Sequence, residues 1–526
     1  MRADAPASRR ATGVVMAGIF ASRLAGLVRE QGVALYFGRS GELSAYWAAF
    51  KIPNLFRVLL GEGNLSASFI PVLSGQLARG EALAGRRTAD LLLGLLLVGV
   101  GAASAAGILL APWLALIVAP GFDEPLRDLV ARLIRILFPL SGMLVLGAWC
   151  MGVLHAHGRF FWPNVAPVFL SVVSALALVL LLDHWRRPAI ELLAWGTTAG
   201  GLVQLAVQLP SSRAALGGLR PRLAWADPGL RRVLGLFLPM LLGTGLAQVN
   251  SLIETQIASF LDEEAVSTLQ YAVRLYTLPL SLFGTSVAMA ALPSLSRDSA
   301  SGSAAGLEEG VAEAWFRALF FLVPSTIVLA GFGEPLVRVV FERGAFTPAD
   351  TDAVARVLAF YALGLTAFAS VRIFAGAFYA LEDSRTPTRL NVLGLALNTV
   401  LSVLFAWRWG TPGIALASSL AALVSAGLLG AALARRTGAG WMRRVAPRLL
   451  RLGAAGAMAA GAGALVTAAL PESDPEAGLA ADVVLVVALY AAVGLAYLAC
   501  AGLLGEAPRP GIWGRGSRDG GERGRG

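Results

Sequence analysis

The sequence predicts an all-α polytopic membrane protein, and three observations predict it. Of 526 residues, 56% are hydrophobic and only 14% are charged, against roughly 25% charged in soluble domains. Apolar runs of about 20 residues or more recur along the chain, the length a helix needs to cross a bilayer. Arginines gather in alternate connections between these runs, as the positive-inside rule requires.

Fourteen runs read as transmembrane helices, near residues 12–37, 44–78, 88–119, 128–154, 161–183, 189–210, 229–261, 266–295, 310–333, 351–381, 388–408, 412–434, 446–470 and 480–504. The longest exceed a bilayer, so they tilt, extend beyond it or break, with Pro53, Pro239 and Pro279 as break points. The chain begins with Arg9-Arg10 before an apolar run, a faint twin-arginine pattern. Arg23 and Arg29 interrupt that run, which therefore reads as the first span. With the N-terminus inside and strict alternation, inner segments carry 26 arginines and outer loops 7. Both termini are expected in the cytoplasm. The same bias explains most of the +10 formal charge without nucleic acid. The acidic loops Leu261–Glu264 and Pro471–Asp474 fall outside. Cys150 and Cys500 lie far apart in apolar runs and read as small core residues, not a disulfide. His155, His157 and His184 are too sparse for a metal site, and none is expected.

The chain repeats itself. Pro112–Phe122 matches Pro335–Phe346, Asp128–Arg132 matches Asp352–Arg356, and Glu30 matches Glu254, all at offsets of 223 to 224. The first twelve spans thus form two six-helix lobes in parallel repeat, plus two extra C-terminal helices. The expected organisation is an N-lobe over 1–211, a cytoplasmic linker over 212–228 and a C-lobe over 229–436. Helices thirteen and fourteen occupy 437–505, followed by a disordered cytoplasmic tail over 506–526, rich in Gly and Arg.

Four arginines, Arg23, Arg29, Arg57 and Arg274, sit inside these apolar runs. A guanidinium at bilayer depth costs about 2.5–3.5 kcal/mol on insertion scales. A hydrated, protein-lined cavity relieves that cost. Carboxylates are few there, chiefly Glu30 and Glu254, and surplus positive charge suits an anionic substrate. Guanidinium is suited to phosphate, being planar, permanently charged and bidentate. The bland alternative is that each arginine snorkels or pairs with a carboxylate or carbonyl. Arg23 and Glu30 are seven apart, share a helix face and could pair, whereas Arg29 lies about 120° away. Lys51, two residues before Pro53, is evenly balanced between site and structure. Arg132, Arg135, Arg317, Arg356 and Arg372 read as structural or interfacial.

Several motifs then resemble one family in order: Ser22–Glu30, Ala49–Arg57, Gly61–Pro71, Tyr271–Leu275, Leu292–Ser296, Gly344–Thr347 and Phe378–Pro387. Together they are similar to the MurJ (MviN) lipid II flippase family of the multidrug/oligosaccharidyl-lipid/polysaccharide exporter superfamily. The resemblance implies a non-enzymatic, multi-pass protein of the bacterial cytoplasmic membrane. Such a protein flips lipid II, the undecaprenyl-diphosphate disaccharide-pentapeptide, from the inner to the outer leaflet by alternating access. It implies diphosphate or headgroup contacts at Arg23, Arg29, Arg57, Arg274, Asn54 and Ser267, with Lys51, Glu30 and Glu254 nearby. Helices thirteen and fourteen would form a groove for the lipid tail. The chain departs from some members at Ser44 and Val273, where they carry acids. Some members bind sodium, and the matching positions here, Glu254 or Thr255, Asn398 and Ser402, are one carboxylate short. No cofactor or metal is expected, and coupling is left between membrane potential and a monovalent ion. Phospholipids are the other expected partners.

The nearest rivals are a flippase of another polyprenyl-linked saccharide and a multidrug exporter on the same fold; an exporter of cations would want carboxylates in its cavity. An enzyme acting on polyprenyl phosphate would need a paired acid motif, which the sequence lacks. A scaffold would not need the arginines. No Walker motif is present to couple ATP directly.

Overall fold

The computed structural model describes residues 5–61, 63–181, 189–469 and 478–506. The tail beyond Glu506, the outer segment with Arg186 and Arg187, and the acidic loop Pro471–Asp474 lie outside the described residues. Every regular element described is helical. The first half holds α1 (Ala5–Phe37), α2 (Gly41–Leu60), α3 (Asn64–Ala78), α4 (Ala82–Leu109), α5 (Ala111–Val118), α6 (Glu124–Ala156), α7 (Phe161–Leu181) and α8 (Ala189–Leu216). The second holds α9 (Pro228–Ser259), α10 (Ala265–Pro279), a π-helical stretch (Leu280–Thr285), α11 (Ser286–Ala300), α12 (Ala304–Gly331), α13 (Gly333–Phe341), α14 (Pro348–Leu363), α15 (Leu365–Ala380), α16 (Arg385–Trp409), α17 (Thr411–Thr437), α18 (Gly440–Ala469) and α19 (Gly478–Leu503).

Eleven segments among the described residues are long and apolar enough to cross a membrane. They coincide with eleven of the expected spans. The other three, near 12–37, 44–78 and 229–261, are helical too, in α1, α2 with α3, and α9. Helix α4, short α5 and α6 follow one another in the first half, as α12, short α13 and α14 do in the second.

The break in the second run falls at Gly61–Gly63, not at Pro53, which lies inside α2. An interior proline forfeits one hydrogen bond and strains the preceding turn, and this helix absorbs it. Gly63 has φ +82, a conformation costly for any residue with a Cβ, and the chain turns there. Pro239 lies inside α9, and Pro279 ends α10 at the π-helical stretch.

The chain forms two compact units. The first comprises Met1–Arg274, Val340–Val357 and Asn391–Ala421. One core in it gathers Phe69, Leu73, Leu92, Trp149, Cys150 and Val233, with the Trp149 indole N–H donating to Ala89 O at 3.2 Å. Arg39, between α1 and α2, binds Asp350 at 3.0 Å and Glu264 at 2.7 Å. Tyr271 donates to Gly38 O at 2.9 Å and packs on Phe346, ring centroids 5.1 Å apart. Two of the sequence motifs thus meet in one contact.

The second unit comprises Leu275–Val339, Leu358–Leu390 and Ala422–Gly526. Phe316, Phe320, Phe374, Trp441 and Tyr497 are buried in its core. In it α18 packs on α12 and α19. Glu506, just after α19, is buried and accepts from Arg448 at 2.9 Å and Arg451 at 3.1 Å. Those pairs fix the end of α19 to α18. Asp383 starts α16: Oδ1 accepts from the N–H groups of Arg385 and Thr386, both at 3.0 Å, and Oδ2 from the Thr386 hydroxyl at 2.8 Å. Arg436 adds an ion pair at 2.5 Å.

The Thr386 hydrogen bonds, with Arg436 adding its charge, hold the Asp383 carboxyl below the usual carboxylate range. A depressed folded pKa stabilises above the unfolded value of about 3.9 and is lost as pH falls through the folded value. Asp383→Ala is expected to cost about 1 kcal/mol, the worth of an N-cap. The Tm deficit of the purified variant should be full at pH 7 and shrink below about pH 4. A deficit unchanged down to pH 3 would remove the carboxylate from this role.

Candidate functional site

Ser40 opens α2 by accepting from the Leu43 N–H at 3.2 Å. The helix then carries Tyr46, Trp47, Lys51, Asn54 and Arg57. On α1, Arg29 and Glu30 are adjacent, and Arg274 reaches the same place from α10. Glu30 is the centre. Its Oε1 accepts from Arg29 Nη2 at 2.7 Å and lies 3.6 Å from Arg274 Nε. The Arg274 guanidinium also sits over the Trp47 ring, 5.0 Å from its centroid, a cation–π contact of roughly 0.5–2 kcal/mol. Glu30 is only 6% exposed, whereas the Arg274 side chain is 42% exposed. Two guanidiniums share one carboxylate, so a positive charge is left over on the exposed side.

The remaining arginines are placed differently. Arg23 is exposed on α1 and makes no ion pair among the described residues. Glu30 is held by Arg29 and Arg274 instead of pairing with Arg23, although Arg23 and Glu30 share a helix face. Adjacent residues on a helix can still meet when one side chain is as long as arginine. Arg57 donates from Nε and Nη2 to Asn54 Oδ1, at 3.1 and 2.7 Å, which fixes its guanidinium one turn along α2. Ser267 is fully buried: its N–H donates to Ser44 Oγ at 3.0 Å and its hydroxyl to Glu264 O at 2.8 Å. It lies two turns before Arg274 on α10, where Ser44 supplies an acceptor for the backbone.

A second polar cluster joins α2, α9, α16 and α17. Lys51 Nζ donates to Ser251 Oγ at 2.7 Å. Glu254 Oε1 accepts from Ser418 Oγ at 2.6 Å, Asn250 Nδ2 at 2.9 Å and Asn398 Nδ2 at 3.2 Å. Asn398 Oδ1 accepts from Ser418 at 3.2 Å and Ser402 at 3.3 Å. A cation needs free oxygen lone pairs and, for a hard ion, carboxylates. Here one carboxylate is present and its Oε1 already meets three donors. Glu254 Oε1 is thus enclosed by neutral donors from α9, α16 and α17. Among the described residues no three His, Cys, Asp or Glu side chains converge on a metal position.

Trp47, Asn250, Ser251 and Ser418 were not singled out by the sequence. Asn250 with Glu254, and Asn398 with Ser402, follow the four-residue spacing of a helix face, a usable signal within apolar runs. Trp47 gives none, because aromatic residues are common in spans.

Removing Glu30 would leave two guanidiniums facing each other without a counter-charge. Breaking a buried pair in this way costs about 3–5 kcal/mol. Glu30→Ala is therefore expected to lower the Tm of the purified protein clearly, and Glu30→Ala with Arg29→Ala together to restore part of it. A double variant no more stable than Glu30→Ala alone would deny the coupling.

The family model "Lipid II flippase MurJ" matches residues 33–473. A probable lipid II flippase MurJ of Vibrio cholerae is 32% identical over 79% of this chain and 81% of its own length. One of Rhizobium meliloti is 35% identical over 82% of this chain and 81% of its own. The lipid II flippase MurJ of Burkholderia cenocepacia is 33% identical over 80% and 84%. Among solved structures, a lipid II flippase MurJ in an inward closed conformation aligns with TM-score 0.75 at 22% identity, covering 91% of this chain and 97% of that one. An inward-facing multidrug resistance MATE family transporter aligns with TM-score 0.68 at 13% identity, over 80% and 95%. These two likenesses show a shared fold. By the length of the family match and the identity to its relatives, the chain belongs to the lipid II flippase MurJ family.

Proposed function

We propose that this protein flips lipid II from the inner to the outer leaflet of the bacterial cytoplasmic membrane. The observation that carries the reading, beside family membership, is the Arg29–Glu30–Arg274 cluster with its surplus charge and its half-exposed Arg274. Arg23, Arg29 and Glu30 precede the family match, so their part rests on geometry and charge. An incoming diphosphate competes with Glu30 for the two guanidiniums. Arg23, exposed on the same helix, adds a further cation to the headgroup path. Asn54 presets Arg57, so that less side-chain entropy is lost when it binds a phosphate oxygen. Ser267 acts through the backbone it holds. Lys51 and Glu254 belong to the neighbouring polar cluster.

The finer organisation is part of the same proposal. Fourteen helices cross the membrane, twelve of them in two six-helix lobes, with both termini cytoplasmic. The lobes rock in alternating access while the lipid tail stays in the bilayer, along a groove of the last two helices. The protein is a transporter and needs no cofactor. Membrane potential is the driver we favour over a monovalent ion, because the substrate is anionic. A potential negative inside moves an anion outward with about 2.3 kcal/mol per charge per 100 mV. The overall fold is shared with multidrug transporters, but export of cations would be opposed by this positive cavity.

Complementation in cells depleted of their own lipid II flippase tests the reading. Wild type is expected to rescue. Arg29→Ala and Arg274→Ala, expressed to equal levels in the membrane, are expected to fail, and Arg23→Ala to be impaired. Each loses charge-assisted hydrogen bonds of about 1.5–3 kcal/mol, or about 10–100-fold in headgroup affinity. No rescue by expressed wild type would move the reading to another polyprenyl-linked saccharide. Rescue by all three variants would refute the arginine site.

A further inference from the structure

A cavity of about 660 Å³ lies within the first unit, away from the Glu30 cluster in sequence and on other elements. It is bounded by the end of α3, the start of α4 and the start of α9. Arg79, Arg87 and Arg232 line it, with two carboxylates, Glu81 and Asp227. Arg79 is bound to Glu81 at 2.9 and 3.0 Å, and Arg87 to Asp227 at 3.2 Å. Arg232 is exposed and makes no ion pair among the described residues. One positive charge is therefore left uncompensated in the cleft.

Two of these cations, Arg87 and Arg232, sit near the starts of two helices. Two helices of 28 and 32 residues, α4 and α9, begin here, and neither has an acidic residue in its first turn. The start of a helix carries partial positive charge and favours anions. Yet α4 has Arg86 and Arg87 near its start, and α9 has Arg231 and Arg232. Asp227 caps α9 by accepting from the Leu230 N–H at 3.1 Å, but Glu81 at the start of α4 makes no capping hydrogen bond. The positive-inside bias accounts for arginines on this side of the membrane. It does not account for their gathering between two helix starts.

Gln76 supplies a second, independent sign. It is 8% exposed and lines the cavity. Its Nε2 donates to Thr88 Oγ1 at 3.1 Å, which leaves Oε1 buried with no hydrogen-bond partner. A buried, unpaired amide oxygen costs about 1–3 kcal/mol. A half-turn of the amide lets Oε1 accept from the Thr88 hydroxyl and releases Nε2–H donors for a ligand oxygen. The walls are otherwise apolar: Val72, Leu236 and Leu83, the last 84% exposed.

We propose that this cleft is a binding site for a phosphate ester attached to an apolar group, separate from the site that handles the flipped headgroup. Arg232 is its principal cation, with Gln76 as a donor, and Leu83 and Leu236 take the apolar part. The volume exceeds what an inorganic phosphate fills. A membrane-borne phosphodiester headgroup satisfies both the charge and the apolar rim, and a soluble phosphate ester shares the phosphate chemistry.

The test uses the purified full-length protein in detergent, with thermal stabilisation as the readout. The probes are dihexanoyl-phosphatidylglycerol, dihexanoyl-phosphatidylcholine and glycerol 3-phosphate. Phosphatidylglycerol is expected to stabilise at concentrations at least about tenfold below phosphatidylcholine. Arg232→Gln, which breaks no recorded ion pair, should remove most of that preference, and Gln76→Leu should weaken it about fivefold. Arg274→Ala, in the other site, should leave it intact, so a failed flippase reading would not disturb the result. Equal stabilisation by glycerol 3-phosphate would assign the site to soluble phosphate esters. Equal stabilisation by the two lipids with none by glycerol 3-phosphate, or a preference unchanged in folded Arg232→Gln and Gln76→Leu, would overturn the proposal.

Discussion

One carboxylate, that of Glu30, allows this chain to keep two arginines inside apolar helices. A lone guanidinium in that setting must be neutralised, hydrated or moved to the interface, since its desolvation costs several kcal/mol. Glu30 neutralises Arg29 closely, at 2.7 Å, and Arg274 loosely, at 3.6 Å. The inequality matters. Trp47 offers Arg274 a π face, a support that needs no second carboxylate and that an arriving phosphate does not have to displace. The cluster is stable enough to fold and still short of one negative charge. That shortage, and not any single arginine, is the feature on which the proposed anion binding rests.

Ser44 shows how the surroundings tolerate the absence of acids. Its hydroxyl accepts from the Ser267 N–H, a task that needs an acceptor but no charge. Val273, beside Arg274, adds no acid either. The positive excess is thus kept by what is missing as much as by the arginines present. Acids at these two places would turn the cluster's surplus of one positive charge into a surplus of one negative charge.

The sequence made the spans and the unusual arginines legible because both depend on local composition. An uninterrupted apolar run reads as a helix whatever it packs against. Pairing was less legible. Helix-face geometry favoured Arg23 with Glu30, but a long side chain at the next position and another from α10 outcompeted it. The Trp47 platform and the cleft beside Gln76 depend on packing between segments far apart in sequence, which periodicity does not encode. The turn at Gly63 was also missed, because a proline draws attention as a breaker while the glycine that needs positive φ does not.

The two polar clusters on α2 work by opposite principles. At Lys51 and Glu254 the neutral amides and hydroxyls of Asn250, Ser251, Asn398 and Ser418 share out the hydrogen bonds, so each charge meets partners. At Glu30 the partners are charges, and a doubly charged phosphate oxygen set can replace one carboxylate with a gain. The surplus charge is thus concentrated at one cluster, while neutral groups surround the charges of the other.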